Sequence, residues 1–326
     1  RWQREFAAEL LQRITPPVPT APAVCVLDTG AQQAHPLLSI ALSETDTLSI
    51  NAEWGTADHA GHGTEMAGLS LYGPLAEVLV SNQPLVLVHR LESVKVLPPG
   101  DGANDPRNFG RLTQQAAYRA EIQNPRRNRA FCLAITADGR DEGLPTLWSS
   151  AIDQLTSGEL DNVRRLVVAS VGNCRTLRDN GYQYPATNRQ NAGVQDPGQS
   201  WNAIAVGAVT DRVTVQSPEW QGWQPIADAP GALSPASTTS LTWQEKKWPL
   251  KPDVVFEGGN WVRDAQGNVD CCDDVSLLTT RRSDLGSLFT TTGDTSAAAA
   301  QVARMAAIVS SRYPALWPET VRGLII

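Results

Sequence analysis

The chain has 326 residues, of which 41% are hydrophobic and 19% charged, a balance typical of globular proteins. Acidic side chains outnumber basic ones by 34 to 27, giving a formal net charge of −7. A nucleic-acid binder needs a basic face that displaces counterions from phosphates, so we expect no nucleic-acid partner. The sequence also lacks any run of about 18 apolar residues, so we expect no membrane partner. Length alone allows one α/β domain or two.

The cysteines and the two ends of the chain bear on location and completeness. Five cysteines are an odd number at scattered spacings, which argues against a disulfide framework and favours a reducing compartment. Residues 1–6 lack the apolar run of a signal peptide, so we expect a cytoplasmic protein. Residues 322–326 end in apolar sequence without a cap, which predicts a domain truncated at its C-terminus.

Residues 1–22 predict a helix followed by a proline-rich linker. Apolar side chains lie on one helical face between residues 5 and 14, and the prolines of residues 16–19 end the pattern. The remainder, residues 23–326, is assigned to the main domain.

The rest of the chain alternates between apolar runs and helical patterns. Unalternated runs rich in Val and Ile predict strands covered on both faces. They occupy residues 23–27, 85–88, 130–135, 165–171, 203–209 and 252–256. Helical patterns at residues 113–123 and 147–155 lie between them, which predicts an α/β fold with a mainly parallel sheet. Residues 212–250 and 258–290 are predicted to be long loops with a hairpin.

Asp28 is the first candidate catalytic residue. It ends the apolar run Val24-Cys25-Val26-Leu27 and precedes Thr29-Gly30. Functional groups of open α/β sheets collect at the carboxyl ends of strands, where Asp28 would lie. The alternative is an aspartate that only forms a turn through a bond to backbone.

His62 is the second candidate, within the glycine-flanked segment Gly61-His62-Gly63-Thr64. The alternative role is a loop histidine whose ring nitrogens are simply satisfied. A metal site formed by His59, His62 and Glu65 is a further alternative. It is disfavoured because no fourth ligand at a recognised spacing accompanies them and the His-Glu-x-x-His pattern is absent.

Ser296 is the third candidate. It precedes a segment, residues 297–309, in which only Gln301 and Arg304 are polar, so this helix must be buried. Ser296 in the first turn is either a plain helix cap or a nucleophile whose oxyanion the helix N-terminus stabilises.

Taken together, these segments place Asp, His and Ser in the chain order of subtilisin. Over residues 23–324 the sequence resembles the subtilisin-like serine peptidases, the subtilase family, and in particular intracellular bacterial members. The landmarks are Leu27-Asp28-Thr29-Gly30, Gly61-His62-Gly63-Thr64 with Met66-Ala67-Gly68, residues 167–173, Lys251-Pro252-Asp253, Asp294-Thr295-Ser296, and Tyr313-Pro314 with Val321-Arg322.

The resemblance implies a three-layer subtilisin-like fold, helices on both faces of the sheet, and a serine endopeptidase without metal or cofactor. Ser296 would be the nucleophile, His62 the general base, Asp28 its orienting carboxylate, and Asn173 an oxyanion donor. A protein or peptide substrate would bind as an added strand. The implied substrate-binding residues are Ile135, Thr136, Ala137, Asp138, Gly139, Ser170 and Gly172, and the Asp138 carboxylate would favour a basic side chain in the primary specificity pocket.

Two positions depart from the family pattern. Asp294 replaces the glycine of Gly-Thr-Ser, and Ala300 replaces a proline in the following helix. Asp294 would either change the backbone beneath the nucleophile or place a negative charge near the developing oxyanion. A catalytically silent binding or scaffold module therefore remains the alternative function.

Control of the activity is a further expectation. Only about 22 residues precede the first predicted strand, so we expect no inhibitory prodomain of the usual size. An unrestrained peptidase would damage its own cell. We therefore expect control by flanking sequence or by a regulatory partner such as an ATPase, as in the defence or conflict systems with which similar bacterial subtilases are associated.

Overall fold

The computed structural model describes residues 2–100, 102–137, 143–179, 181–243, 249–282 and 286–326. The helices are α1 (Trp2–Gln12), α2 (His62–Tyr72), α3 (Leu75–Val80), α4 (Phe109–Gln123), α5 (Leu147–Ser157), α6 (Ala186–Gln190), α7 (Asp294–Arg312) and α8 (Pro318–Ile325). The strands are β1 (Ile14–Thr15), β2 (Ala23–Asp28), β3 (Thr47–Ser49), β4 (Leu85–Val86), β5 (Arg90–Lys95), β6 (Arg129–Leu133), β7 (Leu166–Ser170), β8 (Ile204–Thr210), β9 (Gln224–Pro225), β10 (Ala232–Leu233), β11 (Val254–Glu257), β12 (Val262–Arg263), β13 (Val269–Asp270), β14 (Leu277–Thr280) and β15 (Phe289–Thr292).

The central sheet has the strand order β10-β8-β7-β6-β2-β5-β3, and β11 also pairs with β8. All of these pairings are parallel except that of β10 with β8. Parallel strands bring their carboxyl ends to one edge of a sheet, and β2, β6 and β7 are adjacent. Asp28, Ala134 and Asn173, which end or follow these strands, therefore lie at the same edge.

Side chains of the central strands alternate between two apolar layers. Val24 and Val26 of β2 pack in a core with α2 and α7, whereas Cys25 and Leu27 pack in a second core with α4 and α5. The residues on both sides of β2 are 0–1% exposed, because helices cover both faces of the sheet. The predicted three-layer α/β fold with a mainly parallel sheet is confirmed.

The N-terminal helix packs into the first of these cores. Ala7 and Leu10 of α1 belong to the same apolar cluster as α2 and α7. The helix ends at Gln12, earlier than predicted, because Ile14 pairs with Leu85 in the small parallel pair of β1 and β4.

The buried strand predicted at residues 85–88 is wrong. Only Leu85–Val86 is extended there, and Val86 and Val88 are exposed. The sheet strand is β5, five residues later, in which Arg90, Glu92 and Lys95 conceal the apolar pattern. Glu92 and Lys95 are nevertheless buried, each with polar partners.

As far as the structure describes them, the segments predicted to be long loops contain short strands and single-turn 3-10 helices. β9, β12 and β13 form a small sheet, and β14 and β15 form an antiparallel hairpin that packs on α2. Within the described residues, no helix is both long and apolar enough to cross a bilayer.

Candidate active site

Asp28 and His62 form a hydrogen-bonded pair at the carboxyl edge of the sheet. His62 Nδ1 lies 2.9 Å from both carboxylate oxygens of Asp28, which is 1% exposed. Thr29 N also donates to Asp28 Oδ1, at 2.7 Å. Because the carboxylate accepts, Nδ1 carries the proton, and Nε2 of a neutral His62 is left as the basic nitrogen.

A close backbone approach brings α2 to the end of β2. A Cβ atom built on Gly63 would lie 1.9 Å from Gly30 O, so only glycine fits at this crossing. Glycines flank the two motifs because the chain segments that carry Asp28 and His62 meet there.

Asp58 ties the two motifs together through one buried carboxylate. It accepts hydrogen bonds from Thr29 Oγ1 (2.8 Å), Ala60 N (3.0 Å), Gly61 N (2.8 Å), and from both N and Oγ1 of Thr64 (2.8 and 2.6 Å). Burial alone would raise the pKa of Asp58, but the bonds from Thr64, Gly61 and Thr29 outweigh burial and lower it. Asp58 thereby holds the first turn of α2, which carries His62, against the end of β2.

Ser296 occupies the first turn of α7, whose N-terminus faces the same edge of the sheet. Its hydroxyl donates to Ala134 O at 2.8 Å, directly after β6. A hydroxyl has one proton, so in this arrangement it is committed to Ala134 and not to His62 Nε2. The structure thus brings Ser296 to the site of the Asp28–His62 pair, with the hydroxyl turned toward the sheet.

Asn173 follows β7 and contacts the first turn of α7 through both atoms of its amide. Its Oδ1 accepts from Thr295 N at 3.2 Å and from Thr295 Oγ1 at 2.8 Å. Its Nδ2 donates to Asp294 Oδ2 at 3.2 Å. The backbone N–H of Thr295 needs an acceptor and the carboxylate needs a donor, so this orientation of the amide is the one that satisfies both.

Asp294 has a backbone conformation typical of glycine, and its carboxylate contacts Asn173. Its φ is +67°, a left-handed value that favours glycine, and its carboxylate lies against the proposed oxyanion donor. The second oxygen, Oδ1, accepts from Trp261 Nε1 at 2.9 Å.

The charges around His62 favour its protonated form. Burial disfavours the imidazolium, but the charge of Asp28 and its hydrogen bond outweigh burial, and Glu65 and Asp58 add to them, so the pKa of His62 rises to about 9. The side chain nevertheless remains 36% exposed, and substrate could reach it. Burial raises the pKa of Asp294, although the bond from Trp261 and the charges of His62 and Arg178 oppose that rise.

Comparison with known protein families identifies the family of the chain. A model of the subtilase family matches residues 20–326. The chain belongs to the subtilase family. Membership makes it a serine endopeptidase of the subtilisin type, as the sequence predicted. A search of curated protein sequences found no match.

Solved structures with the same fold include three proteases. A psychrophilic protease has 20% identity and a TM-score of 0.57, over 94% of this chain and 82% of that chain. A cold-adapted subtilisin-like serine proteinase has 16% identity and a TM-score of 0.57, over 97% and 89%. Sphericase has 19% identity and a TM-score of 0.56, over 98% and 87%.

The predicted substrate-binding stretch of this subtilase is described only in part. Ile135, Thr136 and Ala137 are half-buried beside Ala134, whereas Asp138 and Gly139 lie outside the described residues. Ala137 exchanges backbone hydrogen bonds with Asp196, at 2.8 and 3.1 Å. Ile135 and Thr136 lie in the chain between Ala134, which accepts from Ser296, and Ala137, which pairs with Asp196.

The other two predicted substrate-binding residues, Ser170 and Gly172, lie in and just after β7. Ser170 is 1% exposed within β7, so the structure does not bring it to a surface that substrate could reach. Gly172 has a φ of +86°, and a Cβ on it would lie 2.2 Å from Gln195 Oε1. Gln195 crosses over Gly172 to accept from Thr136 Oγ1 at 2.8 Å and to donate to Asn173 O at 3.0 Å. Gly172 thus leaves room for a side chain that braces the site.

The alternative metal site finds no support in the described part of the chain, where no three His, Cys, Asp or Glu side chains are placed to hold an ion. His59 Nδ1 lies 3.2 Å from Thr29 O, and His62 Nδ1 is engaged with Asp28.

Sequence reasoning missed four residues that shape this site: Ala134, Gln195, Trp261 and the carboxylate role of Asp58. Ala134 is only one residue before the predicted substrate-binding stretch. Gln195 and Trp261 lie in irregular sequence, and no local pattern marks them. Asp58 stands four residues before His62, and its spacing from Thr64 across the start of a helix was a usable signal.

Proposed function

We propose that this subtilase hydrolyses peptide bonds through an Asp28-His62-Ser296 triad and an acyl-enzyme. Ser296 Oγ attacks the carbonyl carbon of the substrate while His62 Nε2 takes the hydroxyl proton. The protonated His62 then gives that proton to the leaving amine, and the carbon–nitrogen bond breaks. Water attacks the resulting ester by the same route in reverse, which frees the acid and restores Ser296.

The oxyanion of the tetrahedral intermediate would be held by the Asn173 amide and by the N–H of Ser296 at the start of α7. Both groups lie where the dipole of a buried helix adds to their effect. The Ser296 hydroxyl must first turn from Ala134 O to His62 Nε2, which a rotation about its side-chain bond accomplishes. The observation that carries the proposal is the Asp28–His62 pair beside Ser296, in the first turn of a buried helix. Both carboxylate oxygens of Asp28 lie 2.9 Å from His62 Nδ1.

Labelling with a fluorophosphonate tests the nucleophile directly, because only an activated serine reacts. We expect the wild-type chain to be labelled and Ser296→Ala to be unlabelled. Ser310→Ala is the matched control, since Ser310 lies on the same helix and its hydroxyl only donates to Ala306 O. Equal labelling of the wild type and Ser296→Ala would refute the assignment.

A silent binding or scaffold module is the second candidate. Two observations favour it: the Ser296 hydroxyl is committed to Ala134 O, and a carboxylate contacts Asn173. Denatured casein separates the candidates, since the peptidase cleaves it in a Ser296-dependent manner and the module leaves it intact.

The proposed setting is a bacterial cytoplasm, where activity is restrained by flanking sequence or by a regulatory partner such as an ATPase, within a defence or conflict system. Free thiols at all five cysteines support a reducing compartment. Casein cleavage by the isolated chain and by the chain mixed with a candidate ATPase tests the restraint. Full cleavage by the isolated chain, unchanged by the partner, would count against it.

A further inference from the structure

The oxyanion donor of this subtilase is already engaged. Asn173 Nδ2 donates to Asp294 Oδ2, while Asn173 Oδ1 is held by two bonds from Thr295. The Thr295 bonds prevent the amide from turning over, so Nδ2 faces the carboxylate. The same amide nitrogen is the donor that a tetrahedral intermediate formed at Ser296 would use.

The carboxylate is fixed in this place from several sides. Trp261 Nε1 donates to its other oxygen at 2.9 Å, and the side chain begins α7, whose N-terminus attracts negative charge. Burial raises the pKa of Asp294, and the charge of Arg178, which lies over the Trp261 ring 4.8 Å from its centroid, opposes that rise. The charge of His62, on the facing helix α2, also opposes the rise in the pKa of Asp294.

The backbone of Asp294 adds a separate argument. Among the described residues, only Asn162 and Asp294 combine a side chain with positive φ. A side chain at such a position is strained relative to glycine and persists where the surrounding structure holds it. A residue that is strained and that also contacts the oxyanion donor is expected to act on the reaction.

The Asp294 carboxylate opposes an oxyanion on the Asn173 amide. Nδ2 has two N–H groups and one of them bonds Asp294, so an oxyanion on the other would lie beside the carboxylate. Two negative charges on one amide in a partly buried site repel each other. The tetrahedral intermediate is therefore destabilised while Asp294 remains where the structure places it. Before the attack, the carbonyl group of the bound substrate carries no negative charge, so Asp294 does not oppose substrate binding.

We propose that Asp294 is a built-in inhibitor of the oxyanion hole: its carboxylate competes with the reaction's oxyanion for the Asn173 amide, and its withdrawal from Asn173 activates the enzyme. This inference rests on the proposed Asp28-His62-Ser296 triad. It deepens that proposal by naming the contact through which the activity is restrained.

A double-mutant cycle with Asn173→Ala and Asp294→Gly tests the competition on a chromogenic peptide. We expect Asp294→Gly to raise kcat about 10²-fold with KM changed less than about twofold, since the contact opposes the transition state and not substrate binding. In the Asp294→Gly background, Asn173→Ala should lower kcat about 10²- to 10³-fold. In the wild-type background it should lower kcat less than about tenfold, because the amide is already occupied.

Asp294→Asn is the companion variant if Asp294→Gly folds poorly. Asparagine keeps the size of the side chain and tolerates positive φ, but it lacks the charge. It should raise kcat by a smaller factor, and a peptide boronate that forms a tetrahedral adduct should bind both variants more tightly than wild type. Thermal unfolding establishes that each variant is folded.

The outcomes separate this inference from the triad. If the wild type reacts with fluorophosphonate but both Asp294 variants have a kcat equal to or below that of wild type, the inhibitor role is overturned and the triad stands. If neither the wild type nor either variant reacts with fluorophosphonate or cleaves the peptide, both proposals fall.

Discussion

At the scale of single residues, Asp58 shows how one buried carboxylate can hold two other side chains, Asp28 and His62, in place. Among the described residues its hydrogen bonds go to neighbours of the Asp28–His62 pair: it accepts from Thr29, which follows Asp28, and from Gly61 and Thr64, on either side of His62. A carboxylate accepts all of these bonds because both oxygens are acceptors.

Replacing Asp58 with asparagine should loosen this junction. The amide of Asp58→Asn presents N–H groups to N–H and O–H donors, leaving buried donors unsatisfied. We expect the free energy of unfolding, measured in urea, to fall by about 3 kcal/mol, and kcat to fall about 10- to 100-fold through misplacement of His62. Asp105→Asn, which removes an exposed carboxylate paired with Arg107, is the control and should change stability by less than about 0.5 kcal/mol. Equal effects of the two substitutions would contradict the positioning role.

The pH dependence of the activity follows from His62. The general base must be neutral, and the pKa of His62 is raised to about 9. Below that pH most of the enzyme carries the imidazolium and cannot accept the Ser296 proton, so kcat/KM should rise about tenfold per pH unit and level off above pH 9. A pH–rate profile measures this directly, and a midpoint near the ordinary histidine value of about 6.5 would contradict it.

Glu65→Gln provides an internal check on the cause. Glu65 raises the pKa of His62 by its negative charge without touching Asp28, so removing that charge should move the midpoint to lower pH. An unmoved midpoint would assign the shift to Asp28 and Asp58, without Glu65.

The candidate site could be predicted from sequence where a residue acts within its own motif. Asp28, His62 and Ser296 each stand in a short glycine-marked or helix-starting segment, and their chain order links them. Trp261 and Gln195 could not be predicted, because each acts through a partner far along the chain, Asp294 and Asn173 respectively. The occupied state of Asn173 depends on side-chain geometry that no sequence pattern encodes.

At the scale of elements, β5 illustrates how buried charges conceal a strand. Glu92 is 1% exposed but accepts from Arg127 Nη1 at 2.7 Å and from Arg129 Nε at 2.6 Å. Lys95 Nζ donates to Trp54 O and Ala57 O, at 3.1 and 2.9 Å. The strands with uninterrupted apolar runs were predictable, whereas β5 was not, because its burial depends on partners from other elements.

Removing the charge of Glu92 should therefore destabilise the sheet. Glu92→Gln leaves Arg129 as a buried cation without its carboxylate and leaves Arg127 with Asp46, whose Oδ2 lies 3.0 Å from Arg127 Nη1. Such losses cost about 3–5 kcal/mol. Urea unfolding measures the change. Glu319→Gln breaks the half-exposed pair with Arg164 and is the matched control, with an expected cost below about 1 kcal/mol. Similar costs for the two would show that the Glu92 cluster is not the buried network described.

At the scale of the whole molecule, nearly the full chain is used to assemble one site. Asp28 lies near its start and Ser296 near its end, and the parallel order of β2, β6 and β7 brings the intervening segments to one edge. The layered α/β architecture was predictable because β2, β7 and β8, which are covered on both faces, carry apolar runs. How closely the layers approach was not predictable, since that distance is set by contacts such as Gly63 against Gly30.

Gly63→Ala tests whether this close approach assembles the site. The added Cβ would lie 1.9 Å from Gly30 O, so α2 must move away from the end of β2 and carry His62 from Asp28. Overpacking of this kind costs about 1–3 kcal/mol, which exceeds the gain of up to about 1 kcal/mol from alanine's helix propensity. We expect a lower melting temperature and loss of fluorophosphonate labelling. Gly323→Ala, in α8, meets nothing within 4 Å and should be neutral or stabilising with labelling intact. If both variants kept full labelling and wild-type stability, the Gly63 contact would not be what joins the two halves of the site.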